Sequence, residues 1–115
     1  MKKLSLIAIF LATFLAASFA QTQAELNQTS AAEYKVADKQ LNLVYNKVVK
    51  VADAQSKAAL LEAEKAWIKY RDLHCKYACM QYDGGSIYPL MYNSCLTEMT
   101  KQRTKELTAL LDDQH

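Results

Sequence analysis

The segment KAWIKYRDLHCKYAC, residues 65–79, concentrates residue types that carry out chemistry in many proteins. His74 directly precedes Cys75, and Cys79 follows four residues later. Such side chains can bind zinc, a cysteine beside a base can act as a nucleophile, and cysteines of an exported protein can form disulfides. The segment contains neither glycine nor proline, which predicts a helix. Helical geometry then restricts these possibilities.

A helix argues against a metal site and against a catalytic cysteine. Neighbouring side chains on a helix point about 100° apart. His74 and Cys75 therefore cannot both face a metal ion that Cys79 binds. The other histidine, His115, is the last residue. A cysteine nucleophile needs a base within hydrogen-bond reach and an oxyanion hole, which sequence adjacency does not supply. We therefore predict no metal, no cofactor and no catalytic residue, with His74 a partly exposed helix residue.

Residues 1–20 have the form of a cleaved signal peptide. Lys2 and Lys3 precede an apolar run over residues 4–17, and Ser18-Phe19-Ala20 has the small-x-small pattern of a signal-peptidase site. Cleavage is predicted after Ala20. The run is too short for a permanent membrane anchor. These features predict a protein that is periplasmic or secreted and has no stable membrane anchor.

The charge balance excludes partners that require a basic surface. The chain has 14 Lys+Arg and 12 Asp+Glu, and two of the 14 lie in the predicted signal peptide, which leaves 12 basic against 12 acidic side chains. A neutral mature chain gives no reason to expect binding to nucleic acid or to an anionic membrane. The residues after position 20 suffice for one domain with a modest core.

Glycine and proline punctuate the chain at one place only. Both glycines and the one proline fall between residues 84 and 89, which predicts helices on both sides of a single turn. Ser30-Ala-Ala-Glu33 resembles a capping box, so the first helix is predicted to begin at Ser30, after a flexible segment over residues 21–29. The helical domain is predicted to span residues 30–111. Acidic residues at a helix C-terminus are unfavourable, so residues 112–115 are predicted to fray.

Helical periodicity predicts three helices that pack as an all-α antiparallel bundle. Asp53 or Ser56 is predicted to cap the second helix, and Ser86 the third, with Pro89 tolerated in its first turn. The buried positions predicted for the first helix are Tyr34, Ala37, Leu41, Val44, Val48 and Val51. Those of the second are Leu60, Leu61, Ala63, Trp67, Ile68, Cys75 and Ala78. Those of the third are Tyr92, Leu96, Met99, Leu107 and Leu110.

The three cysteines allow three single disulfides, and hairpin geometry ranks them. Cys75 and Cys95 each lie ten residues from Gly85, and equal distances from a turn place residues side by side. A Cys79–Cys95 bond needs a turn centred near Ile87. Cys75 and Cys79 lie along one helix, where Cβ atoms stand about 5–6 Å apart, more than a disulfide permits. We predict a hairpin linked by Cys75–Cys95, with Cys79 buried as a small apolar residue, left as a free thiol or joined to another chain.

Five segments resemble, in order, the lysozyme inhibitor LprI-like family of small exported bacterial proteins. They are AELNQ, ADKQLNLVYNKV, KAWIKYRDLHC, GGSIYPLMYNSCL and TKQRTKEL. The resemblance implies a compact, disulfide-bearing helical module of the bacterial envelope, in a family of which one member inhibits lysozyme. Cys75 and Cys95 occupy family motif positions. The family often has a cysteine where this chain has Thr29, Cys79 is additional, and the lipid anchor of the family's namesake has no counterpart here.

Polar residues beside the apolar positions form a candidate structural network, consisting of Asp38, Asn42, Arg71 and Arg103. Carboxylates and guanidinium groups in such positions can fix how helices register against each other. The alternative is a small anion site around the two arginines. Trp67 is predicted to be a core residue with Arg71 stacked on it one turn later.

The turn segment YDGGSIYPLMY is the candidate binding surface. Its proposed contact residues are Gly84, Gly85, Ser86, Tyr88, Tyr82 and Tyr92. Tyrosine combines a large contact area with a polar tip, and glycine allows a partner to approach the backbone closely. The alternative is a tight turn whose tyrosines only cover the core.

These observations predict a non-enzymatic exported binding protein, and the family resemblance makes inhibition of lysozyme-type muramidases the leading hypothesis. The second hypothesis is a structural, assembly or stress-related envelope protein that binds a partner through a helix face. An enzyme ranks third, because the sequence offers no paired carboxylates and no activated nucleophile. A muramidase assay distinguishes the first two hypotheses.

Overall fold

The computed structural model describes the backbone of residues 2–113, with the side chains of residues 22–113 and of positions 9, 13 and 14. Helix α1 spans Lys2–Val51, α2 spans Ala54–Ala78 and α3 spans Tyr88–Asp112, with a 3-10 turn at Met80–Tyr82. Residues 2–113 form helices and turns, without a strand. The all-α fold with three helices is thus confirmed. No helix in the described part of the chain contains a stretch long and apolar enough to span a membrane.

Helix α1 passes through the segment that the sequence predicted to be flexible. Residues 21–29 are helical, and the Ser30 hydroxyl donates to the Asn27 carbonyl at 2.8 Å instead of capping a helix start. The predicted capping box is therefore wrong. Its pattern lies inside a helix because residues 21–29 contain no glycine or proline and include good helix formers such as Ala24 and Leu26. Cleavage after Ala20 stays a prediction, and its side chain lies outside the described residues.

The connection between α1 and α2 consists of Ala52 and Asp53. The Asp53 carboxylate accepts a hydrogen bond from the Ser56 backbone amide at 2.7 Å, which confirms Asp53 as the N-cap of α2. Hydrogen bonds from Ser56 hold the pKa of Asp53 below its usual value of 3.8. A connection this short fixes α2 antiparallel to α1.

Helices α1 and α3 run parallel and pack directly against each other, while α2 lies farther from α1. Leu41, Val44 and Val48 of α1 form an aliphatic cluster with Leu107 of α3, and Leu60 and Trp67 of α2 pack against it. Long side chains at a helix interface increase the distance between the helix axes. The side of α2 that faces the other two helices carries the long side chains of Glu64, Trp67 and Arg71. The predicted core positions Val51 and Leu110 are wrong, because each lies near a helix end and is 52% and 43% exposed.

The buried face of α2 differs from the predicted one. It consists of Leu60, Glu64, Trp67, Arg71 and Cys75, with Leu60 and Trp67 only partly buried, and it continues to the buried C-cap residue Cys79. Leu61, Ala63, Ile68 and Ala78, which the sequence assigned to the core, are exposed. The prediction followed apolar residues alone, whereas two of the buried positions of this helix carry charge.

The chain end extends the third helix. Asp112 is the last residue of α3, and the Asp113 amide donates to the Ala109 carbonyl at 3.0 Å. Asp112 is therefore helical although it belongs to the segment predicted to fray. Gln114 and His115, the rest of that segment, lie outside the described residues.

Candidate functional site

The disulfide joins α2 and α3 close to the turn between them. The bond links Cys75 and Cys95, whose Cα atoms are 5.7 Å apart, as the sequence predicted. Cys75 is fully buried, and its sulfur lies 3.7 Å from the Met99 sulfur. Cys79 is a buried free cysteine. Burial, and secondarily the nearby Asp83 charge, raises the pKa of its thiol.

The chain reverses direction between Ala78 and Tyr88. Gly84 has φ of +76°, a left-handed conformation that glycine adopts without strain. The Gly85 amide donates to the Tyr82 carbonyl at 3.0 Å, and a Cβ at Gly85 would lie 3.2 Å from that oxygen. The backbone conformation of the turn therefore favours glycine at position 84, and a Cβ at position 85 would be a tight contact. We call residues 83–87 the turn tip.

The predicted cap of α3 is wrong. Ile87 occupies the N-cap position, and no side chain caps the helix, although Pro89 lies in the first turn as predicted. Ser86 is exposed, and its carbonyl instead accepts a hydrogen bond from the Asn27 side chain at 3.0 Å. The turn tip is thereby tied to α1 as well as to the disulfide-linked hairpin. Sequence analysis missed Asn27 because it placed this residue in a flexible segment.

A second bond links the same part of α1 to the first turns of α3. The Asn93 amide donates to the Ser30 hydroxyl at 3.2 Å, and Ser30 is buried. Gln23 donates to the Asn27 side chain at 2.8 Å, which helps to orient the amide that reaches Ser86. Residues 23–30 of α1 therefore position the turn, a role that had no signal in the sequence.

The candidate tyrosines lie behind the turn tip. The Tyr88 and Tyr92 rings stack with centroids 5.6 Å apart and an interplanar angle of 12°, and both residues are half-buried. Burial is the main cause that raises the pKa of Tyr92. Tyr82 is also half-buried. The three tyrosines are half-buried close to the turn tip, so the predicted contact residues do lie at one end of the bundle.

Two arginines lie over the single tryptophan. The guanidinium carbon of Arg71 is 5.2 Å from the Trp67 ring centroid and 5.4 Å from that of Tyr34. That of Arg103 is 5.9 Å from Trp67. The predicted stacking of Arg71 on Trp67 is present. The cations and rings attract each other electrostatically, which contributes to holding α1, α2 and α3 together.

The acidic partners of the arginines differ from those predicted. Arg71 contacts Asp72 at 2.9 Å and Thr100 at 3.4 Å. Asp38 is half-buried and Asn42 is exposed, and neither bonds an arginine within the described residues. The predicted network is therefore wrong in its α1 members. Tyr34, one turn before Asp38, occupies the side of Arg71 that faces α1.

Arg103 forms the better-buried ion pair. It contacts Glu64 at 2.9 Å and Glu106 at 3.1 Å. Glu64 is 7% exposed, and its second oxygen, Oε1, has no hydrogen-bond partner among the described residues. Since carboxylates already occupy donors of both arginines, this cluster offers little to an added anion. Sequence analysis missed Glu64, although it lies four residues after Leu60 and three before Trp67, on the same helix face.

Two further features bear on function. An open groove of about 780 Å³ lies between α1 and α3, and Val36, Ala37, Glu33, Glu98 and Lys101 are among its lining residues. Among the residues the structure describes, no group of three or more His, Cys, Asp or Glu side chains is arranged to hold a metal ion. His74 instead lies against Tyr70, with ring centroids 5.6 Å apart.

Comparison with known proteins identifies the family. A family model described as lysozyme inhibitor LprI matches residues 16–107. The chain is 36% identical over 106 residues to an uncharacterized protein of Rhizobium meliloti (strain 1021), covering 81% of this chain and 76% of that protein. A crystal structure of a DUF1311 family protein from Pseudomonas putida KT2440 has the same fold, with a TM-score of 0.71 and 23% identity, covering 76% of this chain and 91% of that chain. The family model spans most of the sequence, and the protein therefore belongs to the lysozyme inhibitor LprI family.

Proposed function

We propose that the protein is an exported, non-enzymatic inhibitor of a lysozyme-type muramidase and that the turn tip enters the enzyme's cleft. Family membership supports the activity. The observation that carries the choice of surface is the attachment of an exposed tip at two places, by the Cys75–Cys95 disulfide and by the hydrogen bond from Asn27 to Ser86. A loop that is already fixed loses little conformational entropy on binding.

The chemistry of the tip suits a cleft lined by carboxylates. In a muramidase, two acidic side chains flank the glycosidic bond of the substrate that is cleaved. Among the described residues, neither the Gly84 nor the Ser86 backbone amide donates to another group of the chain, and the Ser86 hydroxyl adds a third donor. Hydrogen bonds from neutral donors to a carboxylate are charge-assisted and therefore comparatively strong. Their number at one tip favours an anionic acceptor.

The balanced charge of the mature chain affects the kinetics of such a complex. Twelve basic and twelve acidic side chains remain after residues 1–20. Without a net field, association with a cationic lysozyme is not steered electrostatically. The proposal therefore predicts an association rate that changes little with ionic strength, with affinity determined by dissociation from the tip contacts.

A lysis assay with the purified protein and lysozymes of more than one structural type tests the proposal. Ser86→Asp should abolish inhibition, because an added carboxylate is repelled by the cleft. The fold should be unaffected, since the Ser86 side chain caps nothing and its carbonyl is retained. Gln55→Asp makes the same charge change at an exposed position at the other end of α2 and serves as the control.

The assay also distinguishes the alternative functions. Undiminished inhibition by Ser86→Asp would remove the turn tip from the interface while leaving the activity in place. Absence of inhibition by the wild-type protein would instead favour an envelope assembly partner. Tyr88→Ala should lower the melting temperature clearly but should change the affinity of the folded protein only slightly, because Tyr88 stacks on Tyr92 behind the tip.

A further inference from the structure

The outer side of α2 carries a regular row of exposed apolar side chains, which we call the α2 stripe. It consists of Ala59, Ala63, Ala66, Tyr70, Leu73 and Tyr77, and it continues to Met80 in the 3-10 turn that follows α2. The positions are separated alternately by four and three residues, the spacing of a coiled-coil seam. The four large members are well exposed: Tyr70 59%, Leu73 57%, Tyr77 75% and Met80 58%.

The α2 stripe is separate from the core of the bundle. With about 100° of rotation per residue, its centre lies roughly 140° around the helix from the buried face that contains Glu64, Arg71 and Cys75. The core residues of α2 therefore leave it uncovered, and all its members are exposed in the described structure. A contiguous apolar row of this length on a small protein is typical of an interaction surface.

The distribution of side-chain size selects the partner. All three alanines lie in the N-terminal half of the α2 stripe, and all four large side chains lie in the C-terminal half. An antiparallel copy of the same helix would place Ala66 opposite Tyr70, Ala63 opposite Leu73 and Ala59 opposite Tyr77. Each of these three layers would then combine one small and one large residue, as close packing requires, and Met80 would lie opposite Ser56, beyond the alanines. A parallel copy would stack alanine on alanine and tyrosine on tyrosine.

We propose that a second copy of this chain docks antiparallel on the α2 stripe, forming a two-fold symmetric dimer. Such an interface is isologous, so it closes and does not extend into filaments. The proposal is independent of muramidase inhibition, because the α2 stripe and the turn tip are different surfaces. It leaves the turn tips, which lie at the C-terminal ends of the two α2 helices, on opposite sides of the dimer.

The charges beside the α2 stripe agree with this pairing. Glu62 and Lys76 flank it on the same side, and the antiparallel register brings Glu62 within two residues of the level of Lys76 in the second copy. Two equivalent attractive pairs result. Lys69 of each copy approaches its counterpart near the symmetry axis, and a long solvated side chain reduces that repulsion.

The contact area predicts a dimer of modest affinity. A tyrosine buries about 150–250 Å² when fully covered, so each of the two tyrosines can contribute on the order of 100 Å². With leucine, methionine and the alanines from both copies, the total is on the order of 1,000 Å², near the lower limit for a specific interface. We expect dimerisation at micromolar concentrations and dissociation on dilution.

Sedimentation equilibrium of the purified chain between roughly 1 and 500 µM measures the association directly. Wild-type protein should pass from monomer to dimer in this range. Leu73→Glu should weaken dimerisation about tenfold or more while retaining helical content and melting temperature, because Leu73 is 57% exposed and lies outside the core. Leu61→Glu, on another side of the same helix and 45% exposed, is the matched control and should change the dissociation constant less than about twofold.

Oxidative cross-linking tests the register. A mixture of Ala63→Cys and Leu73→Cys chains should form a linked pair, whereas each variant alone should not, because the antiparallel layers join position 63 to position 73. Wild-type protein is the control for the buried Cys79. Cross-linking of Ala63→Cys with itself would overturn the antiparallel arrangement.

A protein that stays monomeric throughout the range would overturn the proposal, as would a dimer that Leu73→Glu leaves intact. A monomer that binds vesicles of phosphatidylethanolamine and phosphatidylglycerol through Leu73 would assign the α2 stripe to a lipid surface, again against the dimer. A monomer that associates only with another protein would assign the α2 stripe to a heterologous partner and would also overturn the dimer.

Discussion

The two halves of the bundle are stabilised in different ways. The link half, beside the connection at Ala52–Asp53, is filled by the aliphatic cluster of Leu41, Val44, Val48 and Leu107. The turn half, beside the turn tip, contains the disulfide and the buried polar residues Ser30, Arg71, Thr97 and Thr100. Hydrophobic burial is sufficient where aliphatic side chains meet, whereas a core rich in polar groups gains less from folding. The covalent bond lies in the half with the weaker core.

The polar groups of the turn half are satisfied locally. The Thr97 hydroxyl donates to the Asn93 carbonyl at 2.8 Å, and Thr100 accepts from Arg71 at 3.4 Å. These bonds remove the penalty of burial without adding much net stability. The half that bears the candidate binding surface is therefore held in shape by directional bonds and a cross-link. Such bonds fix the turn tip more specifically than aliphatic packing would.

The largest loss of stability is expected at the boundary between the two halves, where Glu64 pairs with Arg103. Arg103→Ala should lower the free energy of unfolding by about 3–5 kcal/mol, because the buried Glu64 carboxylate would lose its partner. Urea denaturation measures this change. Glu106→Ala removes a half-exposed partner of the same arginine and should cost less than about 1 kcal/mol.

Replacing Glu64 and Arg103 together separates the two causes of that loss. With both positions changed to leucine, no charge is left unpaired, and most of the stability should return. A double variant as unstable as Arg103→Ala would mean that the ion pair itself, and not the stranded carboxylate, stabilises the boundary.

Removing the disulfide should have the next largest effect. A variant with alanine at both Cys75 and Cys95 should lose about 3 kcal/mol, the amount expected for a closed loop of this length. Hydrogen exchange should accelerate first at the turn tip and at Asn93, while amides near Val48 and Leu107 keep their protection. Uniform acceleration along all three helices would show that the two halves do not differ in this way.

Cys79 provides a smaller and local probe of the turn half. Its buried thiol, with a pKa raised chiefly by burial, should react with a thiol reagent about tenfold more slowly than in the unfolded chain. Mass spectrometry should find one such thiol and a Cys75–Cys95 peptide. Asp83→Asn removes the secondary electrostatic cause and should accelerate labelling only slightly. Rapid labelling of the native wild type would indicate that the turn half opens readily.

The smallest effect concerns the link half, at the exposed cap of α2. Hydrogen bonds from Ser56 lower the pKa of Asp53 in the folded state. The Asp53 carboxylate therefore contributes its full stabilisation at pH values above the usual pKa of 3.8, and this stabilisation is lost as the pH falls through the lower pKa of the folded state. Asp53→Ala should therefore lower the melting temperature slightly at neutral pH and have no effect at strongly acidic pH. Asp53→Asn retains a hydrogen-bond acceptor, so the difference between its melting temperature and that of the wild type should depend little on pH.

Sequence reasoning succeeded where one local constraint decided the outcome. Glycine and proline between residues 84 and 89 located the turn, and the equal distances of Cys75 and Cys95 from Gly85 then identified the disulfide. Local hydrogen bonding limited the cap of α2 to Asp53 or Ser56, and the structure shows Asp53. Each of these features depends on residues that are close in sequence or mirror-related across one turn.

It failed where the outcome depended on how separate helices face each other. Glu64 and Arg71 are buried because they meet Arg103, Thr100 and aromatic rings across the bundle, which no periodicity of apolar residues reveals. Asp38 was assigned to the arginines although the register between α1 and α2 is not encoded locally. Ser30 matched a cap motif inside a longer helix, so its burial against α3 was missed.

Trp67 gives the molecule a built-in optical reporter of its own cooperativity. It is the only tryptophan of the chain, it packs on the aliphatic cluster, and the guanidinium groups of Arg71 and Arg103 lie over its ring. Its fluorescence therefore responds both to the loosening of the aliphatic core and to the departure of either cation, whereas far-UV circular dichroism averages over all helices. Coincident transitions by the two signals would indicate two-state unfolding, and a Trp67 signal that changes first would identify the centre of the bundle as the point where unfolding begins.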